Sequence, residues 1–479
     1  MMTMHTVLRP EAHAHRPPPP QGPLLRALER FMARNRDRLV FVHLAMFFGF
    51  LVLMTVPLWL PLPGDSATFC NNFTLFANFV IWGLWFPLVF VSVIFTGRSW
   101  CGLLCPLGAC SEWANGIGLK RQIPRWVRWQ GTPIISFVLI TVLAQTVDAR
   151  GFPQGIAVVF GLAFACAIIL GFLYGPGKAQ RPWCRHMCPI GLMLGVFSRI
   201  GAVQFAPKRP KPGGEAYAEK GICPTMIDIN RKTESRHCIE CFRCVHPQSK
   251  GGLRLVLRWP GAEVAGIRGH NPNAAEVAFL FIATGLSLGG FLWLILPQYE
   301  RWREGGGTWA IERGWYWIGT AGPSWLMSVH PAGREVYTWL DFFMISGFML
   351  ACAALVTAVL GVLTALSSWM AGRAGADRDF RRRFVEQAYA YMPVAMVSLV
   401  IGLGSELFES LKSFGLSAPV TADIKAVLFT LGVIWSLGLG RRLLGVQGLA
   451  GARRWLVLLP LIAGSAFIGA AWWPAIFGL

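Results

Sequence analysis

The sequence predicts an all-α polytopic membrane protein of about nine transmembrane helices with a polar, cysteine-rich region between the fourth and fifth. Three observations predict it. Hydrophobic residues make up 54% of the 479-residue chain and charged residues only 14%. Several apolar runs exceed about 18 residues, the length that reads as membrane-spanning. The basic residues, 44 Lys and Arg against 24 Asp and Glu, give a formal charge of +20 and gather in alternate loops. In a soluble protein such a charge would suggest nucleic acid. Here the basic residues flank apolar helices, so the positive-inside rule accounts for them, and no nucleic-acid partner is expected.

Residues 1–38 read as a cytoplasmic N-terminal arm, flexible at first and helical near the bilayer. Seven arginines face three acids there, and His5, His13 and His15 belong to a polar tail rather than a metal site. The first span, Leu39 to Leu60, is too long for a signal-peptide core and is expected to be retained. The short loop with Asp65 suits the outer side. The second span runs from Phe73 to Phe95, and the basic segment Gly97–Gly131 after it is placed inside. A third helix, Thr132 to Val147, is short for a span. With the fourth, Ile156 to Tyr174, it completes a four-helix membrane unit over residues 39–176.

Residues 177–272 form the next unit. From Lys178 to His270 there are sixteen basic residues against six acidic ones, so this region is cytoplasmic. The C-terminal membrane domain, residues 273–479, holds about five helices: Glu276–Leu296, Trp339–Leu366, Ala390–Leu411, Ile424–Gly440 and Trp455–Phe477. Between the first two lies an outer loop whose Trp302, Trp309, Trp315, Trp317 and Trp325 suit a membrane interface.

The chemistry rests on cysteines. Cys238, Cys241 and Cys244 form C-x2-C-x2-C, a loop that presents three thiolates to three corners of a cubane. The fourth ligand comes from elsewhere, because Cys244 is followed by Val245-His246-Pro247 rather than by the usual Cys-Pro. Cys223, followed by Pro224, is the nearest candidate, and His246 is the less typical one. Cys101, Cys105, Cys184 and Cys188 remain. They form two C-x3-C-P motifs, each at the inner end of a predicted helix, as an internal repeat would place them. The expectation is two [4Fe-4S] clusters, one on Cys101, Cys105, Cys184 and Cys188 and one on Cys223, Cys238, Cys241 and Cys244. An interleaved grouping is the alternative. The proline after Cys105, Cys188 and Cys223 fixes the local backbone and turns neighbouring amides towards cluster sulfur. Zinc is the chemical rival, since four-cysteine zinc sites use short spacings too; the C-x2-C-x2-C spacing and the following prolines count against it. Disulfides do not suit reducing loops.

The motifs Cys101-Gly-Leu-Leu-Cys105-Pro106-Leu-Gly and Trp183-Cys184-Arg-His-Met-Cys188-Pro189-Ile-Gly191 resemble those of the bacterial membrane polyferredoxin family, the NapH-, NosR- and FixG/RdxA/CcoG-type proteins. The resemblance covers about residues 39–250. It implies a ferredoxin-like cytoplasmic iron–sulfur region that passes electrons to or from a quinone pool or a periplasmic partner, or, in one branch, handles copper. The chain departs from these relatives in lacking a second full ferredoxin motif, a flavin-binding domain before the first helix and an immunoglobulin-like tail. It adds the C-terminal membrane domain.

Other residues are weighed against this. Cys110, Cys166 and Cys352 read as buried structural cysteines, and Cys70 lies in an outer loop without an obvious partner. Of the histidines only His43 falls in a predicted span, which argues against a bis-histidine haem. Glu406 and Asp341 are the intramembrane acids, candidates for a proton relay or a quinol contact. Arg181, Arg185, Arg199, Lys208, Arg209 and Lys211 are read mainly as topology signals, some of them also as a hold for a soluble acidic donor or as an offset to the negative charge of a cysteine-ligated cluster. The stretch Cys188–Val203 is expected to be a short amphipathic helix along the inner face. The reading is electron transfer in the bacterial inner membrane between a cytoplasmic or quinone donor and a membrane or periplasmic acceptor, with the lipid membrane and a redox partner protein or respiratory complex as partners. The alternatives are a redox maturation factor for a respiratory metalloenzyme, a cluster-regulated transporter and a structural membrane subunit. No nucleophile–base set marks an independent enzyme.

Overall fold

The computed structural model describes residues 21–64, 66–413 and 415–477; His5, His13, His15 and Asp65 lie outside them. The chain is helical apart from short strands. Among the described residues eight helices are long and apolar enough to cross a membrane. The remaining expected span, the third, is the apolar helix Thr132–Thr146, whose 15 residues fall short of that length.

In chain order, α1 (Pro23–Asn35) leads through a short 3-10 turn into α2 (Leu39–Thr55). The arm is therefore helical from Pro23 onward. It is anchored at its start, where Gln21 Nε2 donates to Leu255 O at 2.5 Å and the buried Glu29 carboxylate accepts from Leu255 N. Next come α3 (Phe73–Thr96), α4 (Ser99–Leu103) and α5 (Pro106–Ile117). The middle of α3, Phe79–Trp85, is π-helical, a local widening often found at functional sites. Then α6 (Thr132–Thr146) and α7 (Pro153–Leu173) complete the first membrane unit.

Two short helices, α8 (Pro182–His186) and α9 (Pro189–Phe197), carry the second motif. The polar region beyond them folds around one antiparallel pair, β1 (Val203–Pro207) with β2 (Leu253–Leu257), in the register Phe205 to Leu255. The rest of the chain is α10 (Ala274–Leu292), the surface helix α11 (Pro297–Glu312), α12 (Trp339–Arg373), α13 (Phe380–Leu403), α14 (Ser405–Ser413), α15 (Ala418–Val446) and α16 (Gly451–Phe477).

The C-terminal half is held by close helix packing. In lipid there is no hydrophobic drive between helices, so small residues that let backbones approach carry the association. Gly285 and Gly289 of α10 do this: a Cβ on Gly285 would lie 2.7 Å from Ala353 Cα, and one on Gly289 would lie 3.0 Å from Met349 Cα. The expected seventh span, Ala390–Leu411, is broken. Its helix stops at Leu403 and restarts at Ser405 as α14, because the Gly402 and Leu403 carbonyls accept hydrogen bonds from Arg150 instead of continuing a helix.

One expectation is overturned. Cys188–Val203 does not lie along a face as an amphipathic helix. Its helical part is buried on nearly every side, and Arg199, the residue that made it look amphipathic, is itself fully buried.

Candidate iron–sulfur site

The two C-x3-C-P motifs fold alike. In each, the first cysteine sits in a short helix (α4 or α8), and the second is the cap residue of the next helix (α5 or α9), with proline at its first position. Proline is favoured there because its missing N–H has no helical partner to lose. The thiol then meets the free amides of the helix start, where negative charge is stabilised. Gly191 N donates to Cys188 Sγ at 3.1 Å.

These four cysteines converge. Cys101, Cys105, Cys184 and Cys188 line one cavity of about 160 Å³. From the thiols it runs among Phe50, Trp82, Trp85, Phe86 and Phe160 of the first membrane unit to Gln145 and Arg150 at the opposite end. Arg150 closes that end against the C-terminal half, donating to Ser405 Oγ at 2.7 Å and Gly402 O at 3.0 Å.

The other four cysteines line a second, tight pocket. Cys223, Cys238, Cys241 and Cys244 surround it with Phe205, Lys232, Glu240 and Phe242. Positive φ at Glu240 and Phe242, 54° and 59°, coils the triplet loop so that its thiols point inward. His246 does not line this pocket; its Nδ1 lies 3.5 Å from Arg36 Nη1. The two cysteine sets meet at Gly102, where a Cβ would lie 2.1 Å from Ile239 O and 2.8 Å from Cys241 N. Only glycine permits that approach. His43 explains itself at the same place, its Nε2 lying 3.2 Å from the Gly102 carbonyl oxygen.

Do these residues suit iron–sulfur clusters? Burial, followed by the charge of neighbouring thiols, pushes Cys105 up to about 11, and burial pushes Cys184 and Cys238 up to about 12. Six of the eight thiols are buried and Cys105 and Cys188 are half-buried; burial favours a protonated thiol until a metal displaces the proton. Among the described residues no three of these sulfurs lie within 4.8 Å of one another. Four thiolates around one zinc ion would sit about 3.8 Å apart, given Zn–S bonds of about 2.3 Å. The spacing is too wide for one zinc ion and suits a polynuclear centre.

Cations surround the sets, and sequence reasoning did not find their partners. Arg181 donates from Nη1 to Cys101 O at 2.8 Å and from Nε to Glu112 at 2.8 Å, and Glu112 also pairs with Arg243. Burial alone would raise the Glu112 pKa, but Arg181 and Arg243 hold it below the usual carboxylate range. Arg98 donates to Arg236 O at 2.6 Å and Cys184 O at 3.2 Å. Arg199 is the hub of a buried ion network, bonded to Glu234 at 2.6 Å, Glu263 at 2.8 Å and Glu276 at 2.7 Å. Tyr389 OH donates to Glu276 at 2.9 Å. The network thus ties the triplet loop to α10 and to the start of α13. The available signal was basic residues next to cysteine motifs, which positive-inside counting absorbed.

The remaining predicted residues lie elsewhere. Asp341 caps α12, accepting from Thr338 N at 2.8 Å and pairing with Arg303 at 2.5 Å. Glu406 opens α14 near Arg150. Neither lines the cavity. Glu215, Glu234 and His237 bring ligand atoms within 4.8 Å of one another, but Arg185, Arg199, Arg236 and Lys232 bring positive charge to the same place. Of the trio, Glu234 belongs to the Arg199 network and His237 lies 3.8 Å from Glu234, while both Glu215 carboxylate oxygens are buried without a hydrogen-bond partner.

Known proteins place this geometry. A family model described as "4Fe-4S binding domain" matches twice, over residues 78–124 and 157–210, once for each C-x3-C-P motif. Over these residues the chain is similar to ferredoxin-type membrane proteins. Identity is low throughout. An uncharacterised protein of Methanocaldococcus jannaschii is 26% identical over 174 residues, covering 35% of this chain and 67% of that protein. The ferredoxin-type protein NapH of Escherichia coli is 24% identical over 181 residues, 34% of this chain and 63% of NapH. Protein NirI of Paracoccus denitrificans is 26% identical over 202 residues, 38% of this chain and 28% of NirI. The chain therefore spans less than two thirds of NapH and of NirI. No solved structure matches. The domain that these findings establish binds a 4Fe-4S cluster in a multi-pass membrane protein.

Proposed function

We propose that the protein transfers electrons in the bacterial inner membrane through two [4Fe-4S] clusters at its cytoplasmic side. Cys101, Cys105, Cys184 and Cys188 hold one, and Cys223, Cys238, Cys241 and Cys244 hold the other. Similarity to NapH, a ferredoxin-type protein, supports electron transfer in general. The observation that carries the finer reading is the aromatic cavity that starts at the first thiol set and runs through the membrane unit. It suits the head of a lipid quinone, flat and largely apolar, and its far end offers the polar side chains of Gln145 and Arg150.

When bound, the clusters supply one-electron exchange without making or breaking bonds. The chain's own residues do the rest. The cysteines fix the centres, the helix starts after Cys105 and Cys188 direct amides at them, and Gly102 brings the sets into backbone contact. Phe50, Trp82, Trp85 and Phe160 exclude water between the first set and the far end of the cavity.

The test is anaerobic purification in detergent, a count of iron and acid-labile sulfide, and electron paramagnetic resonance during a quinol-coupled redox titration. About eight irons per chain and two reducible cubane signals are expected. About four irons, or zinc in their place, sinks the two-cluster reading. Two signals that ignore added quinol sink the quinone reading alone.

A further inference from the structure

Arg98 stands apart from the other buried cations around the cysteines. It is 1% exposed and lines the cavity together with the first thiol set. Among the described residues no carboxylate lies within ion-pair distance of it, whereas Arg181 is compensated by Glu112 at 2.8 Å and Arg199 by three glutamates. Its Nη1 and Nη2 are spent on the Arg236 and Cys184 carbonyls. Its Nε is buried and has no hydrogen-bond partner. A buried guanidinium without a counter-ion, and with one N–H left without an acceptor, is costly, so a negative group in the adjoining cavity would complete it. Cys101, then Cys184 and Cys188, are the groups that act on it most when they carry charge.

We propose that Arg98 is the electrostatic partner of the group bound by Cys101, Cys105, Cys184 and Cys188: its Nε donates to sulfur there, and its uncompensated charge makes that site easier to reduce. The inference rests on the two-cluster reading above. A cluster held by four thiolates is anionic and gains one more negative charge on taking up one electron. A fixed positive charge therefore favours the reduced state, and burial keeps water from screening it. Arg98 lines the cavity of the first set and not the triplet pocket, where Lys232 and Glu240 stand instead, so it acts on one site more than on the other. It is a positioning residue for potential and takes no part in ligation.

The experiment compares the purified chain with Arg98→Gln and Arg98→Lys by iron and sulfide content and by redox titration of the two paramagnetic signals. Cys105→Ser assigns the signal of the first set. In Arg98→Gln, with iron retained, the first set's reduction equilibrium should fall at least tenfold, about 59 mV for one electron, while the other signal stays. Arg98→Lys keeps the charge and should stay near the parent. If Arg98→Gln loses iron from the first set, the lysine variant decides: retained iron at an unshifted potential supports the charge role, and lost iron overturns it. An unshifted first signal in a fully loaded Arg98→Gln protein also overturns it. A parent chain with only one cluster instead removes the reading on which the inference rests.

Discussion

The two cysteine sets are assembled by opposite routes. The Cys101/Cys105/Cys184/Cys188 set is built from two copies of one local device, a short helix followed by a proline-started helix whose cap is the second cysteine. The Cys223/Cys238/Cys241/Cys244 set is a coiled loop closed by a distant cysteine, and its stiffness comes from outside. β1 and β2 pack against it, α1 is pinned to β2, and the Arg199 network ties it to α10 and α13. One set draws on helix starts, which short sequences specify. The other draws on buried ion pairs, which only a folded chain brings together.

That contrast can be broken first at the ligands. Cys188→Ser should remove about half of the iron while the triplet's signal persists, and Cys223→Ser should do the converse. Iron analysis of each variant that shows both sets lost together would mean that the two are one folding unit. Arg199→Met should separate the sets more gently. It leaves Glu234, Glu263 and Glu276 buried without their shared partner, at a cost of about 3–5 kcal/mol. Thermal unfolding should show the loss, with iron draining from the triplet set before the first. Equal loss from both would show that the network is not specific to the loop.

Next in size is the contact between the sets. Gly102→Ala places a Cβ against Ile239 O and Cys241 N, an overpacking cost of about 1–3 kcal/mol. Both sets should load, but electron exchange between them should slow, read by freeze-quenched spectra after rapid reduction. An unchanged rate would show that the Gly102 contact is not the route.

The smallest expected effect is of pH. Burial alone would raise Glu263, but Arg258 and Arg199 hold its carboxyl well below the usual range, and Glu112 is likewise held down by Arg181 and Arg243. Lowered carboxylate pKa values give stability that is fully present above the ordinary carboxylate pKa and is lost as pH falls through the folded values. The stability that these two carboxylates contribute should therefore hold from neutral pH to about 5 and decline below about 4, read for Glu112 as the difference in unfolding temperature between the parent and Glu112→Gln. Glu112→Gln should flatten part of that decline.

Membrane class, the basic sidedness of the loops, the cysteine set and its duplicated motif were legible in the residues, because apolar length, charge counts and local spacing act over a few turns of chain. Helix ends were less legible: α12 runs on to Arg373, and α13 stops at Leu403, where Arg150 claims its carbonyls. The partners of Arg98, Arg181 and Arg199 were hidden. A basic residue near a membrane helix looks the same whether it marks topology or sits fully buried beside a carbonyl or carboxylate 80 residues away. Local pattern by itself determined the membrane class and the duplicated cysteine motif that the 4Fe-4S family model matches. Which of the cysteines share a pocket, that the pockets meet at Gly102, and that an aromatic cavity leads away from one of them were decided only by tertiary structure, because long-range packing brings those groups within reach and removes the water between them.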